Sequence, residues 1–378
     1  MKNKIALFTW CYTAGAINYG QILQCYALQK YCKEQGYDVE VVKYRKIGYA
    51  EDFRLIPSKG RDRDRYEKEY KNKNYESQER EQAKRVNEFV NEYISFSRQC
   101  YSINDILEEI VDCDILLVGS DQLWNPLWID WVYLLEFDDT SRKHISYSTS
   151  GICSDKKEYE KKIQRIAKGI ERFEYVSVRE TISKKILERY SDKNVFVALD
   201  PVFLLGKEEW EELIDVPIVD EPYVFAFYIG RIDPQKHLIH QVARKYGIQK
   251  IVYVKMEISD EVFNDLDIMV GIQNVGPKEF ISLIRYAAAV CTDSFHAFAF
   301  SMIFHKEFYL MNRAYVHRDE ASTSRWNELL ESLGIGSRAA NSRKEIMNLK
   351  EIDYESAENR LNTMIDESKS WLNNALQS

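Results

Sequence analysis

The chain has 378 residues, of which 52 are basic and 60 acidic, and its formal net charge is −8. This length suggests two or three domains, each large enough to bury a core of its own. A hydrophobic fraction of 45% and a charged fraction of 30% exclude a disordered chain, and the acidic balance argues against a nucleic-acid partner. No apolar run approaches the roughly 18 residues of a membrane span. A buried first strand explains the short apolar run at the N-terminus better than a signal peptide does, so we expect a cytoplasmic protein.

The first half of the chain alternates predicted strands with predicted helices. A nearly continuous apolar run over 5–11 is typical of a parallel strand covered on both faces. Further strands are predicted over 39–44, 114–118, 144–148, 175–178 and 195–199, and helices over 21–35, 158–173 and 181–190. Strands separated by helices form βαβ units, so we expect a parallel sheet.

Two stretches interrupt this alternation. Between 59 and 85, 17 of the 27 positions are charged, ten basic and seven acidic, and this mixture favours solvated surface over a nucleic-acid site. The stretch 206–222 is rich in acidic residues and proline and shows little strand pattern, so we place a domain boundary near it. These features predict an N-terminal α/β domain over 1–205 that contains the charged insertion.

The alternation resumes after the boundary. Strands are predicted over 223–229, 250–254, 288–292 and 307–311, and helices over 235–246, 277–286 and 294–305. They predict a C-terminal α/β domain over 206–350, followed by an amphipathic helix over 351–378. In doubly wound sheets, ligands bind outside the carboxyl ends of the strands, so the cleft between the two domains is the expected site.

The segment 292–296, Thr-Asp-Ser-Phe-His, is the strongest candidate for chemistry. It places the Ser294 hydroxyl and the His296 imidazole in the first turn of a helix, directly after a buried strand. The free N–H groups and the dipole of a helix N-terminus favour a phosphate or carboxylate ligand. We interpret His296 as a catalytic acid or base, the alternative being a helix cap followed by a packed histidine.

Arg179 ends the predicted strand 175–178, where a buried guanidinium needs an anionic partner. Glu180 is one candidate for that partner, and the pair would then be purely structural. The functional alternative is a side chain aimed into the cleft, where it binds a phosphate or carboxylate in a bidentate way.

Two polar loops have the composition of sugar-binding edges. Asp121, Gln122 and Trp124 follow the strand 114–118 and offer a carboxylate and an amide for sugar hydroxyls and an indole for a sugar face. Asn18 and Gly20 open the first helix, where Gly20 allows close approach by a ligand or by the other domain. Each motif alone is weak, because an Asp or Asn before a helix is usually a cap.

Metal and cysteine chemistry are not predicted. The His, Asp and Glu residues show no metal-ligand spacing, so we expect no metal ion, and no glycine-rich phosphate loop is present. The seven cysteines lack zinc or redox spacing, and Cys291 is interpreted as a thiol in a strand interior.

Taken in order, the motifs resemble the polysaccharide pyruvyl transferase family. The segments that carry the resemblance are Asn18-Tyr19-Gly20, Val118-Gly119-Ser120-Asp121-Gln122, Ser177-Val178-Arg179-Glu180, Leu199-Asp200-Pro201 and Thr292-Asp293-Ser294-Phe295-His296. The resemblance implies two Rossmann-like domains facing a central cleft, similar to GT-B glycosyltransferases. It also implies transfer of the pyruvyl group of phosphoenolpyruvate onto two hydroxyls of a sugar in a bacterial-type cell-surface polysaccharide or its precursor, forming a cyclic ketal.

The resemblance also suggests roles for individual residues. On the donor side it implies Arg179, Ser294 and His296, with His296 as acid or base, and Arg325, ahead of another expected helix, is a further candidate cation. The acceptor side would be lined by Asn18, Gly20, Asp121, Gln122 and Trp124. Two departures from the family pattern, Ala297 in place of glycine and Ser150-Gly151 without an intervening phenylalanine, are expected to affect acceptor shape.

These roles imply partners and leave other functions open. Phosphoenolpyruvate would be a co-substrate with no further cofactor, and the acceptor would be a sugar or a lipid-linked oligosaccharide. A lipid-linked acceptor would bring the protein into peripheral contact with the inner face of the membrane. A GT-B-type glycosyltransferase with a nucleotide-sugar donor would share the architecture. A non-catalytic carbohydrate-binding protein would tolerate the loss of both Arg179 and His296. No oligomeric state is predicted.

Overall fold

The computed structural model contains two parallel β-sheets. It describes residues 3–11, 17–44, 73–138, 141–214, 216–230, 232–254, 269–312 and 320–378. No helix among these residues combines the length and the apolar character needed to cross a membrane.

The first sheet has six parallel strands in the order β2-β1-β3-β4-β5-β6. They are β1 (Lys4–Phe8), β2 (Asp38–Val41), β3 (Ile115–Val118), β4 (Lys143–Thr149), β5 (Tyr175–Val178) and β6 (Val195–Val197). The helices in this part of the chain are α1 (Tyr19–Glu34), α2 (Lys73–Tyr93), α3 (Ile103–Glu109), α4 (Glu160–Gly169) and α5 (Thr181–Leu187). All four residues of β3 are buried, as expected for a strand with helices on both faces of its sheet.

The second sheet has five parallel strands in the order β11-β10-β7-β8-β9. They are β7 (Tyr223–Phe227), β8 (Lys250–Val254), β9 (Met269–Ile272), β10 (Ala289–Thr292) and β11 (Glu307–Leu310). The remaining helices are α6 (Lys207–Glu211), α7 (Lys236–Lys245), α8 (Pro277–Arg285), α9 (Phe295–Ile303), α10 (Glu320–Leu333), α11 (Arg343–Asn348) and α12 (Tyr354–Gln377).

The last helix, α12, packs against the first sheet although it follows the second in sequence. The Trp371 ring stacks on Phe196 of β6 with ring centroids 5.4 Å apart and planes 7° from parallel. The Ser368 hydroxyl accepts a hydrogen bond of 3.1 Å from the Leu199 N–H, just after β6. The chain therefore returns to its first domain at its end.

The two sheets share one apolar core. A contiguous cluster of buried side chains joins α1, α12 and one face of the first sheet to α8, α9 and one face of the second. Trp210 of α6 lies at the junction, with its ring centroid 5.7 Å from that of Tyr26 in α1 and 4.9 Å from that of Phe300 in α9. Separate apolar clusters cover the other face of each sheet.

The structure confirms the predicted α/β fold with two parallel sheets. The sequence pattern missed β9, a four-residue strand at the edge of its sheet, and the short helices α3 and α11. Within the charged stretch 59–85, residues 59–72 lie outside the described part of the chain, and 73–85 begin α2. The domain limits at 205 and 350 stay predictions.

Candidate active site

Three candidate side chains meet where the carboxyl ends of the two sheets face each other. Arg179 directly follows β5, Asp200 follows β6, and His296 lies in the first turn of α9 after β10. Their side chains are 4%, 0% and 10% exposed, in that order. His296 is therefore the most exposed of the three, although nine-tenths of its side chain is buried.

Asp200 connects the other two residues. Its Oδ2 atom lies 2.6 Å from Nη2 of Arg179 and 3.5 Å from Nε2 of His296. Its Oδ1 atom accepts a hydrogen bond of 3.0 Å from the Val202 N–H and so caps the 3₁₀ turn Pro201–Leu204. One carboxylate oxygen therefore serves the local fold, while the other holds a guanidinium of the first domain next to an imidazole of the second.

One nitrogen of the Arg179 guanidinium, Nη2, contacts protein groups, and the other two make no hydrogen bond within the described part of the chain. Nη2 also donates to the Ser120 hydroxyl at 2.6 Å. Among the described residues at the site, Nε and Nη1 of Arg179, Oδ2 of Asp200 and Nε2 of His296 are buried and make no hydrogen bond. Buried polar atoms rarely lack a hydrogen bond, so these atoms are the candidates for binding a polar ligand.

Glu180, the alternative partner of Arg179, binds elsewhere. Its carboxylate accepts hydrogen bonds from the hydroxyls of Ser150 and Ser183. The alternative of a local Arg179–Glu180 pair is therefore wrong, and the buried partner of Arg179 is Asp200.

His296 packs directly against the start of α1. A Cβ atom built on Gly20 would lie 2.0 Å from Nδ1 of His296, a separation that no real contact allows. Of the two alternatives for Gly20, the structure shows close approach by the other domain. The Phe295 ring covers the site, with its centroid 5.4 Å from that of His296 and 5.0 Å from the guanidinium carbon of Arg179.

The residues before His296 hold the start of α9. Asp293 is fully buried, and its two carboxylate oxygens accept hydrogen bonds of 2.7 and 2.9 Å from the N–H groups of Ile229 and Gly230. The Ser294 hydroxyl accepts from the Ala297 N–H at 3.4 Å and is the N-cap of the helix. Ser294 is thus at the predicted helix start, where its hydroxyl caps the helix.

The electrostatics of the site centre on Asp200. Burial alone would raise the pKa of this carboxyl, but the charges of Arg179 and His296 outweigh it and lower the pKa from 3.8 to about 2. Asp200 is therefore ionised at neutral pH. Burial raises the pKa of the nearby Cys291 thiol well above its usual range, which agrees with its interpretation as a strand-interior thiol.

The acceptor-side candidates occupy loops at the same edge of the first sheet. Asn18 caps α1 by accepting from the Gln21 N–H at 3.2 Å. Asp121 follows β3 in the left-handed region, with φ at +74°, and Gln122 is half-buried and accepts from the Asn125 amide at 3.1 Å.

Trp124 requires a correction. Its side chain is 1% exposed, and its indole N–H donates to the Tyr133 carbonyl at 3.1 Å. The ring lies in the core below the sheet edge and presents no face to a sugar. No feature of the sequence indicates this burial, because the neighbouring polar residues are typical of an exposed loop.

Arg325 also requires a correction. It lies inside α10 (Glu320–Leu333) rather than ahead of a helix. Its side chain lies outside the described part of the chain, so its role as a donor cation stays a prediction.

Sequence reasoning assigned no role to three residues that build the site. Asp200 is predicted only as part of a family motif. Its position directly after a strand is a signal that could have identified it as a site residue. Ser120 binds Arg179, and Gln24 of α1 accepts from the Ser120 N–H at 3.2 Å while donating to the Thr9 hydroxyl at 3.0 Å. Gln24 thereby joins the loops that follow β1 and β3. As for metals, no group of three His, Cys, Asp or Glu side chains in the described residues could hold an ion.

A comparison with models of protein families shows to which family the chain belongs. The family model described as polysaccharide pyruvyl transferase matches residues 18–315, which contain Arg179, Asp200 and His296. The chain belongs to the polysaccharide pyruvyl transferase family. A search of the curated proteins gives no significant match.

Solved structures show the same fold at low sequence identity. The UDP-N-acetylglucosamine 2-epimerase of Rickettsia bellii is 10% identical with a TM-score of 0.56, and the alignment covers 98% of this chain and 96% of that one. MnaA of S. aureus, solved with UDP, is 12% identical with a TM-score of 0.52 and coverage of 97% and 91%. The glycotransferase of kitacinnamycin is 10% identical with a TM-score of 0.50 and coverage of 98% and 95%. This pyruvyl transferase family member therefore has a GT-B-like fold.

Proposed function

We propose that the protein transfers the pyruvyl group of phosphoenolpyruvate onto two hydroxyls of a sugar in a cell-surface polysaccharide or its precursor, forming a cyclic ketal. Family membership supports a transferase. The observation that carries the proposal is the pair of buried, unpartnered nitrogens on Arg179 beside the unpartnered Nε2 of His296. A guanidinium with two free N–H donors suits a carboxylate or phosphate.

In this proposal Arg179 binds an anionic group of the donor while its Nη2 stays on Asp200 and Ser120. These two partners fix the guanidinium plane, so the free nitrogens are pre-oriented for the ligand. Phosphoenolpyruvate then lies against His296, the most exposed of the three residues. Asn18, Asp121 and Gln122 bind the acceptor sugar from the first domain.

His296 moves the proton in the proposed reaction. Its imidazolium gives a proton to the methylene carbon of phosphoenolpyruvate, which leaves an oxocarbenium-like centre at C2. A sugar hydroxyl attacks C2 and returns its proton to His296. Phosphate then leaves, and the second hydroxyl adds to C2 as its proton goes to phosphate. The products are one cyclic ketal and one inorganic phosphate.

Burial of the site protects this intermediate. Water would attack the oxocarbenium centre and release pyruvate, so an acid next to open solvent would waste the donor. Phe295 covers the guanidinium, and Asp200 is fully buried. Because Asp200 is ionised at neutral pH, it also stabilises the positive charge of His296 during proton transfer.

A calorimetric titration with phosphoenolpyruvate tests donor binding. We expect wild type to bind, Arg179→Lys to bind at least about tenfold more weakly, and His296→Ala to keep most of the affinity. Lysine is chosen at 179 because it leaves Asp200 paired with a cation. His296→Ala should lower phosphate release in the presence of sugar acceptors by about 10²–10⁴-fold.

The control is a second arginine, which directly precedes β4 and so lies at the amino ends of the strands of the same sheet. Arg142 also pairs with a buried carboxylate, Asp138, at 2.8 Å, and Arg142→Lys should leave phosphoenolpyruvate binding unchanged. Binding of UDP but not of phosphoenolpyruvate to wild type would favour a nucleotide-sugar glycosyltransferase. Near-wild-type turnover of His296→Ala would refute its role as the acid.

A further inference from the structure

A solvent-exposed apolar pair lies in the loop that leaves the candidate acceptor side. Leu127 and Trp128 are consecutive, and each is 47% exposed, whereas Pro126 just before them is buried. Leu127 follows Ser120 by seven residues, which limits their separation to about 25 Å even for an extended chain. The pair thus belongs to the same loop region as Ser120, which binds Arg179.

A basic surface adjoins this pair. Between residues 156 and 172 there are seven basic and three acidic residues, an excess of four positive charges, and all seven basic side chains are exposed. Lys162 of α4 donates to the Pro126 carbonyl at 2.5 Å, which joins the helix to the loop. The Arg165 guanidinium lies 3.8 Å from the centre of the Trp131 ring and is paired with Glu136 at 2.6 Å, so the lysines of the segment carry most of its uncompensated charge.

We propose that Leu127, Trp128 and the exposed basic residues of 156–172 form a docking surface for an anionic lipid bilayer. We name these residues the basic–aromatic patch. A tryptophan and an aliphatic side chain insert at the boundary between headgroups and acyl chains, and each nearby basic residue strengthens binding to an anionic surface by about fivefold. The surface goes beyond the proposed reaction and does not depend on it.

Charge selects the bilayer over a second copy of the chain. The whole chain carries a net charge of −8, so an anionic surface repels it in most orientations and attracts it where the basic–aromatic patch faces the lipid. In a two-fold dimer through the patch, the same excess of positive charge would face itself.

Vesicle co-sedimentation tests the proposal without any substrate. We expect wild type to bind vesicles of equal phosphatidylglycerol and phosphatidylcholine, and to bind phosphatidylcholine alone at least about tenfold more weakly. Leu127→Ser with Trp128→Ser, and separately Lys161→Glu with Lys168→Glu, should each weaken binding to the anionic vesicles by at least about tenfold.

Two single-site controls carry a change of the same kind elsewhere, an exposed apolar residue to serine and an exposed lysine to glutamate. Val111 is 64% exposed at the end of α3, and Val111→Ser should bind as wild type does. Lys344 is exposed on α11, and Lys344→Glu should also bind as wild type does. Equal loss of binding in the controls, or unchanged binding in the serine pair, would overturn the proposal.

Fluorescence quenching by brominated lipid locates the inserted side chain. We expect quenching in wild type and its loss in Trp128→Phe, a variant that keeps an aromatic ring and should still sediment with the vesicles. Quenching that persists in Trp128→Phe would overturn insertion at this position. A dimer in sedimentation velocity that the serine pair disrupts, with no vesicle binding by wild type, would assign the patch to self-association instead.

Discussion

Asp200 divides its two oxygens between the fold and the site. Oδ1 caps the turn that follows β6, and Oδ2 holds Arg179 close to His296. The carboxyl is fully buried, so its charge is compensated by these neighbours rather than by water. Removing the charge of Asp200 leaves the buried guanidinium without its counter-charge, and the loss of a buried partner is strongly destabilising.

Asp200→Asn should lower the free energy of unfolding by about 3–5 kcal/mol at pH 7. The pKa of Asp200 is about 2 in the folded chain and near 3.8 in the unfolded chain, so its charge stabilises the fold above pH 4 and loses this effect as the pH falls towards 2. The difference between wild type and variant should therefore narrow below pH 4. Urea unfolding at pH 7, 5, 4 and 3 measures it.

An exposed pair in the same domain is the control for Asp200. Asp155 and Arg189 lie 2.7 Å apart with side chains 56% and 52% exposed, and Asp155→Asn should change stability little. If Asp200→Asn were as stable as wild type at pH 7, the charge of Asp200 would not be needed to hold Arg179.

At the residue scale, the sequence was sufficient to place a side chain at the end of a strand, while the roles of these residues stay proposals. His296 and Arg179 were identified because the carboxyl ends of parallel strands carry ligand-binding groups. The contact between His296 and Asp200 could not be predicted, since it depends on how the two domains dock. Trp124 was misplaced because an indole among polar neighbours gives no sign of which way its ring points.

At the scale of elements, the start of α1 joins the two domains. The Tyr19 ring stacks on Phe280 of α8 with centroids 4.9 Å apart, and its hydroxyl donates to the Val275 carbonyl at 2.7 Å. The Gln82 amide of α2 donates to the same hydroxyl at 2.6 Å. Directly after Tyr19, Gly20 leaves the space that the His296 ring fills.

Gly20→Ala should lower turnover by at least about 100-fold while the helix stays intact, because a shift of about 1 Å in a catalytic group can cost this much. Alanine favours a helix over glycine, so the effect would come from the collision with His296. Phosphate release measures the turnover, and far-UV circular dichroism measures whether the helix is intact.

Gly206→Ala provides the matched control for Gly20. Its added Cβ would meet atoms no closer than 3.5 Å, so both readouts should stay at the wild-type level. Full turnover in Gly20→Ala would mean that His296 works in another position.

The elements themselves were predicted unevenly, for physical reasons. Apolar strands that are buried along almost their whole length, such as β1, β3 and β10, give a clear signal because both faces are buried. β9 was missed because it is an edge strand whose four residues include only one buried side chain, Met269. The packing of α12 against the first sheet could not be predicted from its amphipathic pattern. Such a pattern shows that one face of a helix is buried, but it does not show which element covers that face.

At the scale of the whole molecule, the shared core makes the two domains one cooperative unit. Buried side chains of α1 and α12 pack in one cluster with those of α8 and α9, and Trp210 contacts rings from both domains. An apolar interface of this kind resembles a domain interior more than a mobile junction.

Urea unfolding should therefore show a single transition, with the same midpoint by tryptophan fluorescence and by far-UV circular dichroism. Separate midpoints, or an intermediate that retains half of the ellipticity, would show that the domains unfold independently. A substitution in either domain should shift the common midpoint, whereas independent domains would each respond to their own substitutions.

The return of α12 to the first sheet has a genetic consequence. A stop codon between residues 350 and 354 would leave the eleven strands of the described residues, and every motif residue up to His296, in the encoded chain. It would nevertheless remove the Trp371 ring from β6 and the Ser368 hydroxyl from Leu199, next to Asp200. Late truncations should therefore behave in a mutant screen like missense changes in the first domain, about 150 codons upstream.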